Sequence, residues 1–460
     1  MKQTIKLSDL IGDVVAKMEA QKATFGPFDT HISQKADIEQ VNQVLNTLIE
    51  RLDDNYPYFH PQYAAQMLKP AHPVAQAAYV AAMMLNPNNH SIDGGRATTY
   101  MEREVMRDMA TMFGYDPDGF LGHLTWSGTT ANLEALWISR EINPGKAIAH
   151  SQDAHYVHSR MGEVLNVPTI AIPTDNRGRM DLEALEERLK TGEIGVVVAT
   201  LGTTGLGAVD PLADIIPLAR QYGARVHVDG AYGGYFILIP DVLDEETNRH
   251  YQAIRDADSV VVDPHKHGLQ PYGCGAVLFR DQTIGPYYKH DSPYTYFASK
   301  DLHYGEIQLE TSRAGAAAAA LWATLQIFPL TSQGLGSILR PGRQAVQLWY
   351  NLINQSETLR PYQKPELDII AYLARVPSMS KLDEVSHSTF LNAIDCDRPQ
   401  QTHLATYNVK PAQLLARGID MSMDRESTRI MRSVLMKPEQ LALVPELHEH
   451  VEEWTRRSLA

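Results

Sequence analysis

Lys266 stands between two histidines, directly after the apolar run Val260–Val262. Lysine side chains are seldom fully buried without a partner. An amine in a partly desolvated place is suited to Schiff-base chemistry, whereas an ordinary surface loop would explain the same residue without any chemistry. The other strand ends of the sequence help to decide between these two interpretations.

Polar residues also follow four other strand-like runs, at the point where each run ends. These segments are Ser127-Gly128-Thr129-Thr130, Asp153-Ala154-His155, Gly202-Thr203-Thr204-Gly205 and Asp229-Gly230-Ala231-Tyr232. In open α/β sheets, ligands bind beyond the carboxyl ends of the strands, so we expect these segments to surround one site. Taken alone, each has a plain structural explanation as a helix cap, a surface histidine, a hydrogen-bonded loop or a turn.

Taken together, the segments supply the groups that hold pyridoxal 5'-phosphate. A small-residue turn that opens a helix offers main-chain N–H groups to a phosphate. A lysine forms a Schiff base with the cofactor aldehyde, and a carboxylate keeps the pyridine nitrogen protonated, so that the ring withdraws electrons. Asp229 and Lys266 lie 37 positions apart, about one strand–crossover–strand unit of roughly 30 or more residues.

A sheet is needed to bring these segments together. From about residue 57 to residue 330, short apolar runs alternate with helical patterns, which is typical of βαβ units and a mainly parallel sheet covered by helices. The predicted strands are Leu121–Thr125, Ala147–His150, Ile170–Ile172, Val196–Leu201, Arg225–Val228, Ser259–Val262 and Gly275–Phe279. The fold class is therefore α/β.

The remaining patterns divide the chain into three predicted regions: an N-terminal helical arm (1–56), a large domain (57–330) and a smaller C-terminal α+β domain (331–460). The helical patterns are Ala36–Leu52 in the arm, Leu133–Arg140 and the start Ala314–Ala320 in the large domain, and Arg343–Ile353 in the small one. Gly334, Gly336 and Pro341 punctuate the sequence before that last helix. Ile369–Leu373 and Ile430–Met436 predict strands of the small domain.

Composition excludes several classes of protein. The chain has 460 residues, 44% hydrophobic and 21% charged, as in ordinary globular enzymes. Its net charge of −14 argues against a nucleic-acid partner. Two cysteines far apart, Cys274 and Cys396, indicate neither a disulfide framework nor a metal cluster. The first twenty residues lack a signal-peptide pattern, and no run approaches ~18 apolar residues; we expect a cytoplasmic protein without a membrane partner.

The motifs resemble those of the pyridoxal-phosphate-dependent group II amino acid decarboxylases, which have the aspartate aminotransferase fold (type I), and most resemble their bacterial tyrosine and glutamate decarboxylase-like branch. The matching segments are His60–Tyr63, Leu124–Asn132, Asp153–Tyr156, Ala199–Thr204, His227–Gly234, Asp263–Lys266 and Met431–Pro438. Their order and spacing extend through about residues 55–440. The phosphate turn departs from the family pattern, with Ser127 where glycine is common and Thr130 where glutamate is common.

The resemblance implies a role for each matching position around the cofactor. Lys266 would form the Schiff base, Asp229 would pair with the pyridine nitrogen, and Thr203 would hydrogen-bond near the ring substituents. His155 and Ala231 would pack on the two faces of the ring. The phosphate would be held by Ser127, Gly128, Thr129 and His265.

The resemblance also implies substrate contacts and a shared site. Arg432 would bind the substrate carboxylate and Gln66 would touch the substrate. His90 would reach in from a partner subunit, because relatives are homodimers with sites at the interface. Tyr272 would assist catalysis. Tyr294, Tyr296 and Tyr304 lie in a stretch that resembles the catalytic loop of the family. The sequence does not choose among these three and Tyr272 as the proton donor.

The implied activity is decarboxylation of an L-amino acid to carbon dioxide and the corresponding amine. Tyr272 and the resemblance to the tyrosine decarboxylase branch favour an aromatic substrate such as tyrosine, and this is the substrate that we predict. Gln66 indicates aspartate or glutamate as the alternative. A transaminase, an aldehyde-forming variant and a catalytically inactive paralogue are alternatives, because a fold does not fix a function. A dehydrogenase is disfavoured, because no G-x-G-x-x-G motif follows an early strand.

Overall fold

The computed structural model describes residues 5–289, 304–395 and 401–460. Its larger sheet has seven strands in the order β1-β7-β6-β5-β4-β2-β3. The strands are β1 Leu121–Thr125, β2 Ala147–Ser151, β3 Thr169–Ile172, β4 Ile194–Thr200, β5 Arg225–Asp229, β6 Ser259–Val262 and β7 Gly275–Phe279. β7 runs in the direction opposite to that of the other six strands, so the predicted mainly parallel sheet is confirmed.

Helices flank this sheet and precede it along the chain. They are α1 Leu7–Ala23, α2 Ile38–Leu52, α3 Pro73–Met83, α4 Arg96–Phe113, α5 Gly128–Ile142, α6 Val157–Leu165, α7 Leu182–Leu189, α8 Leu212–Gln221, α9 Glu245–Gln252, α10 Gly285–Tyr288 and α11 Gly315–Ile327. Strands β4 and β6 are buried along their whole length, which explains why their sequences are nearly continuous apolar runs rather than alternating ones.

A second sheet of four antiparallel strands lies in the C-terminal part, in the order β10-β11-β9-β8. Its elements are α12 Gly336–Gln355, β8 Leu359–Pro361, β9 Ile369–Ala374, α13 Met379–Ile394, β10 Ala405–Val409, α14 Pro411–Leu415, β11 Thr428–Val434 and α15 Gln440–Leu459. The segment around Tyr63 and Ala64 joins this part, because Tyr63 bridges His403 and the Ala64 carbonyl accepts from Val434 N.

The helix predicted at Arg343–Ile353 is α12, and the prediction was wrong about its start. The helix begins at Gly336 and continues through Pro341. Proline removes one main-chain hydrogen bond, but the apolar face of α12 is buried against the protein core, and tertiary packing outweighs that loss. Gly342 allows the close approach, because a Cβ there would lie 2.4 Å from the Leu435 carbonyl.

Among the residues that the structure describes, no helix combines the length and the apolar character that crossing a bilayer requires.

Candidate active site

A cavity of about 430 Å³ opens at the carboxyl ends of the central parallel strands. Its lining comes from the segments that follow β1, β2, β4, β5 and β6. The lining residues are Trp126, Ser127, Gly128, Thr129, Asn132, His155, Tyr156, Val157, Thr200, Gly202, Thr204, Asp229, Ala231, Tyr232, Asp263, His265, Lys266, Tyr272 and Gly273. The volume falls in the usual range for a cofactor or small-molecule site, roughly 300–1,000 Å³.

Asp229 is the last residue of β5 and is buried. Its Oδ1 accepts from the Ala231 main-chain N–H at 3.1 Å, and its Oδ2 accepts from His158 Nε2 at 2.8 Å. Burial alone would raise the pKa of Asp229, but these hydrogen bonds and the charge of Lys266 hold it well below its usual range. The cavity therefore contains a carboxylate that stays ionised.

Lys266 reaches the same cavity from the turn after β6. Its Nζ lies 2.8 Å from Oδ2 of Asp263, a buried carboxylate three residues earlier. Burial lowers the pKa of Lys266, but Asp263 and then Asp229 outweigh burial and raise it above the usual value. The amine is held as a cation between two acidic groups.

The N-terminus of α5 forms another wall. Ser127 caps the helix, since its Oγ accepts from the Thr130 N–H. The first turn of a helix leaves main-chain N–H groups without intrahelical partners, so it attracts anions. Gly128 must be small here, because a Cβ would lie 2.6 Å from an Asp263 carboxylate oxygen.

Two aromatic pairs stand at the sides of the cavity. His265 stacks on Tyr272, with ring centroids 4.5 Å apart, and His155 lies against Tyr156 at 4.3 Å. Burial lowers the pKa of both histidines, so neutral imidazoles are favoured. His155 and Ala231 both line the cavity and offer flat or small surfaces to a planar ring.

The structure brings nine of the predicted residues to this cavity. They are Ser127, Gly128, Thr129, His155, Asp229, Ala231, His265, Lys266 and Tyr272. Thr203 is not among the lining residues; it is buried, and its Oγ1 accepts from the Ala208 N–H, between Gly202 and Thr204, which do line the cavity.

Gln66, His90 and Arg432 do not line the cavity. Gln66 is exposed, and the main chain of His90 accepts from Gly305 N. Arg432, on β11, is buried and donates to the carbonyls of Thr204, Gly205 and Ala65. Arg432 fastens the loop after β4 in this structure, so its predicted contact with a substrate carboxylate requires a rearrangement.

The three candidate loop tyrosines differ in what the structure describes of them. Tyr294 and Tyr296 lie outside the described residues. Tyr304 is buried, and burial raises its pKa well above the usual value. The guanidinium carbon of Arg313 lies 5.4 Å from the centre of its ring.

Sequence reasoning gave no role to several residues of the site. Trp126, Tyr156, Asn132 and Thr200 line the cavity, and so does Asp263. Asp263 stands three residues before Lys266, a spacing that could have indicated an ion pair. His158, behind Asp229, carried no signal because its contact bridges 71 positions of the chain.

The arrangement fits pyridoxal phosphate. An amine, an ionised buried carboxylate and a helix N-terminus face one cavity, and these groups match the aldehyde, the pyridine nitrogen and the phosphate of that cofactor. The mainly parallel sheet and this site define a pyridoxal-phosphate-dependent enzyme of fold type I.

The comparisons with known sequences make the class specific. A family model described as "Pyridoxal-dependent decarboxylase conserved domain" matches residues 26–374, and the chain belongs to that family. An L-tyrosine decarboxylase from Enterococcus faecium is 27% identical over an alignment that covers 75% of this chain and 74% of that protein. An aspartate 1-decarboxylase from Aliivibrio fischeri is 29% identical over an alignment that covers 65% of this chain and 60% of that protein.

Solved structures confirm the predicted fold. Mouse CSAD is 20% identical with a TM-score of 0.76, over 96% of this chain and 98% of that one. Oryza sativa TDC, solved with PLP and tryptamine, is 15% identical with a TM-score of 0.78, over 99% of both chains. The family match and the fold together make the protein a pyridoxal-phosphate-dependent amino acid decarboxylase, which is a carboxy-lyase. The identity of its substrate is taken up below.

Proposed function

We propose that the protein decarboxylates an aromatic L-amino acid, with Lys266 as the residue that bonds to the cofactor and Asp229 as the partner of its ring nitrogen. The observation that carries the residue assignment is the single cavity that an amine and an ionised buried carboxylate share with the N-terminus of α5. Ser127, Gly128 and Thr129 are the proposed phosphate ligands.

Bound pyridoxal phosphate supplies an aldehyde for the substrate amine and a cationic ring that accepts the electrons of the breaking bond. The chain supplies orientation and charge. His265 would contact the phosphate, His155 and Ala231 would pack against the ring, and Asp229 would keep the ring nitrogen cationic. The residues that bind the substrate carboxylate would set the orientation of the substrate, and therefore which of its bonds breaks.

Proton return to the substrate carbon is assigned to the amine of Lys266 or to the phenol of Tyr272. Tyr272 lines the cavity and its ring stacks on that of His265. Arg432 would grip the carboxylate, Gln66 would meet the side chain, and Thr203 would support the ring substituents if the loop that contains Thr203 shifts on binding.

Three exposed aromatic side chains at the cavity support an aromatic substrate. Trp126, Tyr156 and Tyr272 line it and are 64%, 61% and 60% exposed, and flat rings of this kind pack favourably on another ring. Relatives named L-tyrosine decarboxylase agree with this choice. Aspartate is the second candidate, because Arg160 places a cation 4.8 Å from the Tyr156 ring and one relative is an aspartate 1-decarboxylase.

The assembly that we propose is a homodimer in which His90 reaches the site of the partner subunit. Support comes from α2, whose apolar side chains are exposed in the single chain, since large exposed apolar patches mark interfaces. The cytoplasmic location stays a prediction.

The test combines cofactor mapping with a substrate screen. Protein reconstituted with pyridoxal phosphate and reduced with borohydride should carry the adduct on Lys266, as located by mass spectrometry of peptides. Carbon dioxide release should be largest with tyrosine or another aromatic amino acid, and Lys266→Ala should abolish it. An adduct at another lysine, release of a keto acid without carbon dioxide, or formation of an aldehyde in place of the amine would overturn the proposal. Aspartate as the best substrate would select the second candidate.

A further inference from the structure

His158 lies directly behind Asp229 without lining the cavity. It is the second residue of α6, it is fully buried, and its Nε2 lies 2.8 Å from Oδ2 of Asp229. Nδ1 of the same ring has no hydrogen-bond partner among the described residues. The ring therefore has one polar contact, and that contact is with the carboxylate.

The direction of this hydrogen bond follows from the acceptor. An ionised carboxylate can only accept, so Nε2 of His158 carries the proton and donates it. A charge-assisted bond of this kind is about twice as strong as a neutral one. The other donor to Asp229, the Ala231 N–H, is only two residues away along the chain, so His158 is the tie that comes from a separate element.

We propose that His158 is a positioning residue that fixes the Asp229 carboxylate toward the ring nitrogen of the cofactor and keeps it ionised there. The inference rests on the pairing of Asp229 with that nitrogen, as proposed above. Removal of the donor would leave a buried carboxylate short of a partner, which favours its protonation and weakens its grip on a cationic ring.

The experiment measures the affinity of the apo protein for pyridoxal phosphate by absorbance titration, without any substrate. His158→Leu removes the donor, His158→Gln returns an N–H near the position of Nε2, and His158→Asn is too short to do so. We expect His158→Leu and His158→Asn to weaken binding by about tenfold to a hundredfold, the usual cost of losing a hydrogen bond to a charged group, and His158→Gln to stay within about threefold of wild type.

Two controls separate positioning from general destabilisation. His250→Leu removes an equally buried imidazole on α9 that does not line the cavity, and should lower the thermal midpoint without changing the affinity. In an Asp229→Asn background, His158→Leu should have little further effect, because the two residues act through one interaction.

The possible outcomes are distinct. Wild-type affinity in His158→Leu, a His158→Gln variant as weak as His158→Leu, or an unchanged penalty in the Asp229→Asn background would each overturn the role of His158. If His158→Leu does not fold, the comparison of His158→Gln with His158→Asn decides instead. Failure of the wild type to form an adduct on Lys266 would overturn the proposed function rather than this inference.

Discussion

Two buried carboxylates and one amine set the electrostatics of the cavity. The Asp263 carboxylate pairs with the Lys266 ammonium at 2.8 Å, while the Asp229 carboxylate accepts hydrogen bonds from His158 and from the Ala231 N–H. Because each carboxylate has its own donors, Asp263 binds the Lys266 ammonium and Asp229 stays available to the cofactor. The raised pKa of Lys266 follows from this division, and it means that the amine must lose a proton before it can attack an aldehyde.

Asp263→Asn tests this charge balance. The substitution keeps the shape of the side chain but removes the charge that contributes most to raising the pKa of Lys266, so that pKa falls. The unprotonated fraction rises about tenfold for each unit of that fall. We therefore expect the apo variant to capture pyridoxal phosphate faster at neutral pH, and the pH profile of the capture rate, measured by stopped-flow absorbance, to move to lower pH.

Asp153→Asn is the matched control for this variant. Asp153 is also an acid that follows a strand, although it is half-buried where Asp263 is buried. Its carboxylate accepts a hydrogen bond from the Thr174 hydroxyl, and it is outside the cavity lining. Its replacement should leave the profile of the capture rate in place. An unshifted profile in Asp263→Asn would show that Asp263 does not govern the protonation of Lys266.

The site residues that lie at or just after the end of a strand could be predicted from the sequence. The short motifs around Ser127, His155, Asp229 and Lys266 each end or follow a strand of the parallel sheet, so the rule of strand ends brings them together. His158 was not predictable, because its contact depends on the packing of α6 against β5. The engagement of Arg432 by loop carbonyls likewise depends on how the two sheets meet.

Among the helices, α5 begins at a residue with two roles. Ser127 caps the helix and is also a proposed ligand of the cofactor phosphate. The Ser127 hydroxyl accepts from the Thr130 N–H, and Ser378 caps α13 in the same way through the Lys381 N–H. The two caps have the same chemistry, but only Ser127 lines the cavity. The pair therefore separates the cost of losing a cap from the cost of losing a phosphate contact.

Ser127→Ala and Ser378→Ala should each destabilise the protein by about 0.5–2 kcal/mol, the usual cost of removing such a cap. Only Ser127→Ala should also weaken the binding of pyridoxal phosphate, by several-fold, because its hydroxyl is a proposed phosphate ligand. Chemical denaturation of the apo protein checks the first expectation and a cofactor titration checks the second. Equal cofactor affinities in the two variants would remove Ser127 from the phosphate site.

Element boundaries were predicted well where local signals and burial agree. Leu121–Thr125, Ser259–Val262 and Gly275–Phe279 match the observed strands, and the other strands of the larger sheet end within two residues of their predicted limits. The start of α2 is fixed by Asp37, whose carboxylate caps it, so the predicted Ala36–Leu52 began slightly early. The start of α12 was missed because its Gly336 and Pro341 resemble a loop until the packing of the helix is known.

On the scale of the whole molecule, α2 is the feature that the single chain leaves unexplained. Its apolar residues recur at intervals of three and four, yet all of its side chains are exposed. The exposed apolar residues of α2 are Ile38, Val41, Val44, Leu45, Leu48, Ile49 and Leu52. Such spacing is typical of a helix that packs along one face against another. We infer that a second copy of the chain covers this face, as the proposed homodimer requires.

The double substitution Leu45→Glu and Leu48→Glu tests that inference. Two charges in the centre of the apolar face would be buried in the dimer, at a cost that exceeds the gain from packing, so we expect a monomer by light scattering where the wild type is a dimer. Gln43→Glu and Asn46→Glu add the same charge on the polar face of α2 and should leave the dimer intact.

If His90 of the partner subunit completes each site, the monomer should also lose carbon dioxide release while it still binds pyridoxal phosphate. A wild-type monomer, or a dimer that survives the substitutions at Leu45 and Leu48, would refute the assignment of this face to a second copy.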